Sequence, residues 1–146
     1  MQLSDIGVDL ITNFEGLKLD PYNDSRGFAT IGIGHLIRRG PVIPEDKSIT
    51  KQQAYDLFKT DSAWAQKAVS TLVKVPLSQH EFDALVSWTF NLGSGTLANS
   101  MVLTLLNAQK YAEAAVHMLL YNKSGGAMLP GLVRRRQAEV NLFLSV

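Results

Sequence analysis

Apolar residues recur at helical spacing along most of the chain. Ile6, Leu10, Ile11 and Phe14 form a first such stripe, with Ser4 or Asp5 in position to cap it and Gly16 to end it. The pattern then changes. Residues 17–37 hold short strand-like runs broken by Pro21-Tyr22-Asn23-Asp24, Ser25-Arg26-Gly27, Gly32 and Gly34, which predicts a small antiparallel sheet. Residues 38–44 have no periodicity and read as a loop. Thr50-Lys51-Gln52-Gln53 has the form of a capping box, and Ala54, Leu57, Phe58, Ala65, Ala68, Val69 and Leu72 follow on one helical face. Read as one helix, that stretch runs about 30 Å at ~1.5 Å per residue and stops before Pro76. Ser78-Gln79-His80-Glu81 is a second capping box. It opens a stripe of Phe82, Leu85, Val86 and Phe90, ended by Gly93. Further stripes follow at Leu97–Leu106 and Tyr111–Leu119. Residues 122–126 read as a loop, and a last helix after Pro130-Gly131 carries Leu132, Val140, Phe143 and Leu144.

These elements predict an α+β protein, mainly helical, with a small N-terminal antiparallel sheet lobe joined by a long helix to a helical lobe. The 146 residues suit a single domain, 1–146. Within it, residues 14–50 form the sheet lobe, 51–75 the connecting helix, and 76–146 with 1–13 the helical lobe. Apolar residues make up 46% of the chain, enough for a real core, and the net charge of +1 gives no strong field for a polyanion. With no cysteine there is neither a disulfide nor a thiol nucleophile. No apolar run approaches the ~20 residues of a membrane span, and the N-terminus does not read as a signal peptide. The expectation is a protein made in the cytoplasm that neither inserts in a membrane nor binds nucleic acid.

The chemistry concentrates between Phe14 and Leu36. Glu15 falls at a helix end, Asp24 in a turn and Thr30 on a strand. Singly, each is an ordinary helix-end, turn or strand residue. Jointly, two carboxyls and a hydroxyl around one small volume suit glycosidic bond hydrolysis, where one acid must be protonated and the other ionised. Ile11 and Phe14, with the helix C-terminus, are expected to raise the Glu15 pKa by burial and dipole. Asn23, Ser25 and Arg26 favour ionised Asp24. Environments that push two acids apart assign the acid and base roles.

Glu15-Gly16, Tyr22, Asp24, Gly27 and Thr30-Ile31-Gly32-Ile33-Gly34-His35 together resemble the catalytic segment of the phage-type lysozymes, an endolysin family of glycoside hydrolases. The resemblance runs from Ile6 to Phe143, through Phe82-Asp83-Ala84-Leu85, Phe90-Asn91-Leu92-Gly93 and Lys110-Tyr111-Ala112-Glu113-Ala114-Ala115. It implies a lysozyme (muramidase) that cuts the β-1,4 bond between N-acetylmuramic acid and N-acetylglucosamine in peptidoglycan. The alternatives are a lytic transglycosylase on the same bond, which has no use for an Asp–Thr pair, and a non-catalytic peptidoglycan-binding module, against which the intact Glu15, Asp24 and Thr30 argue. In the lysozyme reading Glu15 is the general acid, and Asp24 with Thr30 holds the attacking water; the family implies inversion at the sugar carbon, while the sequence itself leaves retention open. The family's acid-pairing arginine falls on Arg135, with Arg134 as runner-up. Its glycan-contacting positions fall on Leu36, Phe90, Ser100 and His117. No metal or cofactor is implied. The resemblance also implies a monomer held in the host bacterial cytoplasm, with a separate holin as the expected partner for release to the cell wall.

Other motifs read more plainly. Arg134-Arg135-Arg136 on a helix points three ways, so one arginine is expected inward and the others solvated. His35, His80 and His117 lack metal-ligand spacing, and His35 reads as a structural hydrogen-bonding residue. Trp64 and Trp88 lie in helical stretches and are expected to pack inside, with sugar stacking as the alternative for either.

Overall fold

The structure, a computed structural model, describes residues 1–146. The chain divides into two compact units, one of Met1–Leu10 with Trp64–Val146 and one of Ile11–Ala63. Helix α1 (Asp5–Glu15) contributes to both. Eight helices and two small sheets make up the fold, so the α+β, mainly helical expectation holds.

In the unit Ile11–Ala63, strands β1 (Lys18–Asn23), β2 (Ala29–Gly32) and β3 (His35–Arg38) form an antiparallel sheet with β2 central. All four residues of β2 are buried. Helix α2 (Lys51–Asp61) packs on β2 with Ala54, Tyr55 and Phe58 buried. Its capping box forms as its sequence predicts: Thr50 Oγ1 accepts from Gln53 N at 3.1 Å, and Gln53 Oε1 accepts from Thr50 N at 2.8 Å. The aperiodic loop after β3 is pinned rather than loose. Arg38 holds Asp46 through two hydrogen bonds, Asn23 Oδ1 accepts from Val42 N, and Ile49 N donates to Leu19 O.

The expected long helix is in fact two. Helix α3 (Ala63–Leu72) follows α2 after a break at Ser62. Ser62 has φ −91° and ψ 5°, and its fully buried hydroxyl donates to Phe58 O at 2.7 Å. A serine back-bonded to the preceding turn gives the backbone an alternative to continuing the ladder. The apolar stripe carries across the break, which is why the pattern reads as unbroken.

In the other unit, helix α4 (Gln79–Leu92) is the centre. Its eight residues Phe82 to Thr89 are all buried, including Asp83, Ser87 and Thr89, so the stripe seen in the sequence understates it. Asp83 Oδ1 accepts from Ser4 N at 3.0 Å and from Gln79 Nε2 at 2.9 Å, and Asp83 Oδ2 accepts from the Ser4 hydroxyl. The start of α1 approaches α4 so closely that a Cβ on Gly7 would stand 2.6 Å from Leu3 Cδ1 and 2.8 Å from Asp83 Cγ.

Helices α5 (Ser94–Ala98), α6 (Met101–Asn107), α7 (Tyr111–Met118) and α8 (Pro130–Leu144) complete this unit, α8 packing most extensively on α4. The expected loop at 122–126 is instead a hairpin, β4 (Lys123–Ser124) with β5 (Ala127–Met128). Gly125 and Gly126 have φ 58° and 82°, the pair of positive angles that a two-residue primed turn needs.

Candidate active site

Glu15 is the last residue of α1. Gly16 turns the chain with φ 87° while its N–H donates to Thr12 O at 2.8 Å. Glu15 is exposed, so the expectation that burial surrounds it is corrected: Ile11, one turn before it on the same helix, is buried, but Phe14 is only half-covered and Glu15 itself lies beyond the core. Strand β1 begins three residues later and Asp24 follows its end. The register from Lys18↔Gly32 to Tyr22↔Thr30 sets four steps of β1 against two of β2. Such a bulge bends the strand, so its ends stand closer than the ~20 Å of a straight six-residue strand.

Asp24 and Thr30 are joined through one residue, Phe28. Phe28 N–H donates to Asp24 Oδ1 at 2.9 Å, and Arg26 N–H donates to the same oxygen at 2.8 Å. The Phe28 carbonyl accepts from Asp24 N–H at 2.9 Å and from the Thr30 hydroxyl at 2.9 Å. These backbone donors, Phe28 first, outweigh partial burial, and with the Arg26 guanidinium 3.7 Å from Oδ2 they hold the Asp24 carboxyl below the usual carboxylate range. Asp24 is thus kept ionised as expected, but by backbone N–H groups and Arg26 rather than by the side chains of Asn23 and Ser25. Thr30 is 4% exposed, and its one hydroxyl proton is committed to Phe28. Towards any further partner it is an acceptor. Leu36 is the cross-strand partner of Thr30 and is exposed, so its side chain shares the sheet face of Thr30.

His35 Nδ1 lies 2.8 Å from Asp61 Oδ2, in keeping with its expected structural role.

The remaining candidates lie in the other unit. Arg135 and Arg136 are both buried, which corrects the expectation of a single inward arginine; only Arg134 of the three is exposed. The cause is Glu139, fully buried one turn along. Arg136 Nε stands 2.7 Å from Glu139 Oε1 and Arg135 Nε 3.2 Å from Oε2, while the Ser87 hydroxyl donates to Oε2 at 2.6 Å. Burial pushes the Glu139 carboxyl up, against the opposing pull of Arg136, Ser87 and Arg135. Arg136 also donates to Asn91 Oδ1 at 2.8 Å, and Arg135 Nη2 reaches Ser87 O at 3.4 Å. The Arg-x-x-x-Glu spacing is visible in the sequence; that it is buried is not.

Ser100 is buried and caps α6, its hydroxyl accepting from Leu103 N at 3.1 Å and donating to Leu97 O at 2.8 Å. His117 is half-buried in the last turn of α7. Phe90, also half-buried, stacks with Trp64 at 5.7 Å between ring centroids. Trp88 is fully buried as expected, but Trp64 is 45% exposed, so its expected packing inside is corrected.

A family model for phage lysozyme matches residues 12–139. The chain belongs to the phage lysozyme family. It is 41% identical to the endolysin of Salmonella phage P22, with 99% of each chain covered. A crystal structure of a P22 lysozyme mutant superposes with a TM-score of 0.86 at 40% identity, again over 99% of both chains. The chain is 39% identical to the endolysin of Bacillus phage B103, of which it spans 55%. It is 35% identical to the muramidase domain of SpmX from Asticaccaulis excentricus, with a TM-score of 0.81 over 99% of both. This phage lysozyme is a peptidoglycan-degrading enzyme of the endolysin kind.

Proposed function

We propose that this phage lysozyme hydrolyses the β-1,4 bond between N-acetylmuramic acid and N-acetylglucosamine, with Glu15 as general acid and Asp24 with Thr30 holding the attacking water. The observation that carries this reading is the Phe28 peptide. It takes one oxygen of Asp24 and the only hydroxyl proton of Thr30. Asp24 Oδ2 and Thr30 Oγ1 are then both acceptors. A water that donates its two protons to them turns its lone pair outward, to the sugar carbon, while Asp24 takes the proton lost as the bond forms. Glu15, exposed at the helix end, gives its proton to the leaving oxygen. A single displacement by a water opposite the leaving oxygen gives inversion.

On the family resemblance, Arg135 is the proposed acid-pairing residue, and Leu36, Phe90, Ser100 and His117 the proposed glycan contacts. No helix is long and apolar enough to cross a membrane. In this reading the enzyme accumulates as a monomer in the host cytoplasm and reaches the wall after a separate holin permeabilises the membrane.

The test is clearing of purified cell walls by wild type and by Glu15→Gln, with product analysis. A reducing muramic acid end and a loss of at least about 10²-fold in Glu15→Gln are expected. An anhydro-muramic product would show transglycosylation instead, and wild-type clearing by Glu15→Gln would remove the assignment of the acid.

A further inference from the structure

Trp64 has a position that core packing does not explain. It is the only aromatic among the large apolar side chains that the fold leaves exposed. It is the second residue of α3, directly after the break at Ser62. One face of its ring is stacked on Phe90, with an interplanar angle of 29°. With 45% of the residue still exposed, the indole keeps a large part of its surface open to water. Phe90 is itself held on α4, immediately after the eight buried residues. The indole is therefore a flat apolar surface at a fixed angle, backed by a second aromatic on a rigid helix.

We propose that Trp64, backed by Phe90, is a stacking platform for one pyranose ring of the glycan strand, and so a substrate-binding residue for the polymer named above, a reading on which this inference rests. A pyranose presents axial C–H groups on one face and hydroxyls around its rim. An indole face accepts the C–H face, removes both apolar surfaces from water, and leaves the rim hydroxyls solvated. The platform has no charge and no fixed donor, so it suits a repeating acetylated polysaccharide and takes no part in bond breaking. It acts through affinity for the strand.

The two tryptophans make the test direct, because Trp64 is exposed and Trp88 is fully buried. Soluble, peptide-stripped glycan strands are titrated into the whole chain while emission and acrylamide quenching are followed. Binding is expected to shift the exposed emission to the blue and to protect it from acrylamide; in Trp64→Phe both changes disappear while the Trp88 emission remains. In wall digestion, Trp64→Ala is expected to raise KM about tenfold, the scale of one lost aromatic stack, with kcat within about twofold. Trp64→Tyr should recover most of that loss. An unchanged KM in Trp64→Ala, or no protection of the exposed indole at saturating glycan, overturns the proposal. So does a lowered melting temperature that Tyr restores without restoring KM, which marks Trp64 as structural. A concentration-dependent dimer abolished by Trp64→Ala assigns the surface to a second copy of the chain and likewise overturns it. If wild type itself cuts no glycan, the functional reading fails; if wild type cuts and Trp64 is silent, the platform alone fails.

Discussion

Replacing Thr30 by Val separates the hydroxyl's bond to Phe28 from its proposed hold on the attacking water. Val retains the branched shape and strand preference that the buried position in β2 requires. What it removes is the donor to Phe28 O, at 2.9 Å, and the oxygen proposed to accept from water. The Phe28 carbonyl keeps its second donor, Asp24 N–H, so it is not left unsatisfied. The stability cost is then that of a single net hydrogen bond, about 1 kcal/mol. For a chain of this size that lowers the melting temperature by about 3 °C. Against a typical stability of about 5–15 kcal/mol, fewer than about one molecule in a hundred is unfolded at 25 °C, so partial unfolding cannot account for a large loss of activity. Catalysis responds differently. A water displaced by about 1 Å costs on the order of 10²-fold, and kcat should fall by that factor. Wall clearing by purified protein, with melting followed by circular dichroism, measures both numbers on one sample. Thr30→Ser restores the hydroxyl and should restore most of the rate. Turnover by Thr30→Val within about threefold of wild type, or Thr30→Ser as impaired as Thr30→Val, refutes the water-holding role.

Glu139→Gln strips the charge that Arg135 and Arg136 share in the core. Uncompensated buried guanidinium groups should cost about 3–5 kcal/mol, seen as a lower midpoint in denaturant unfolding. Gly7→Ala puts a methyl 2.6 Å from Leu3 Cδ1 and 2.8–2.9 Å from Asp83. Overpacking of this kind should destabilise by about 1–3 kcal/mol, and a melting temperature equal to wild type would show that the close approach of α1 to α4 is overdrawn. In acid, the Arg38–Asp46 pair should lose its contribution to stability over a defined window. Its hydrogen bonds to Arg38, then the Ile43 N–H, hold the Asp46 carboxyl down from 3.8 to about 2. Because the folded pKa is the lower one, this stabilisation is present above pH ~4 and is lost as the pH falls from about 4 towards 2. Asp46→Asn should therefore lose part of the acid dependence of stability in that window, and an unchanged slope would contradict it.

Periodicity and local chemistry determined much of this protein. The capping boxes at Thr50 and Ser78, the helix end at Gly16 and the turns that frame β1 to β3 depend on residues within a few positions of one another. Glu15, Asp24 and Thr30 stand out as candidates for the same reason: all three lie within sixteen residues of chain. Long-range contacts decided the rest. Whether Ser62 continues a helix or interrupts it depends on where its hydroxyl is directed, and the apolar stripe is the same in either case. Arg136 and Glu139 are polar by composition, yet they sit in the core because each neutralises the other beside α4. The ionised state of Asp24 depends on the Phe28 N–H, which only the closing of the β1–β2 turn delivers. Trp64 and Trp88 are the same residue in similar helical patterns. One is sealed and the other open, because burial depends on which helix packs against each, and pattern along a single chain does not specify that.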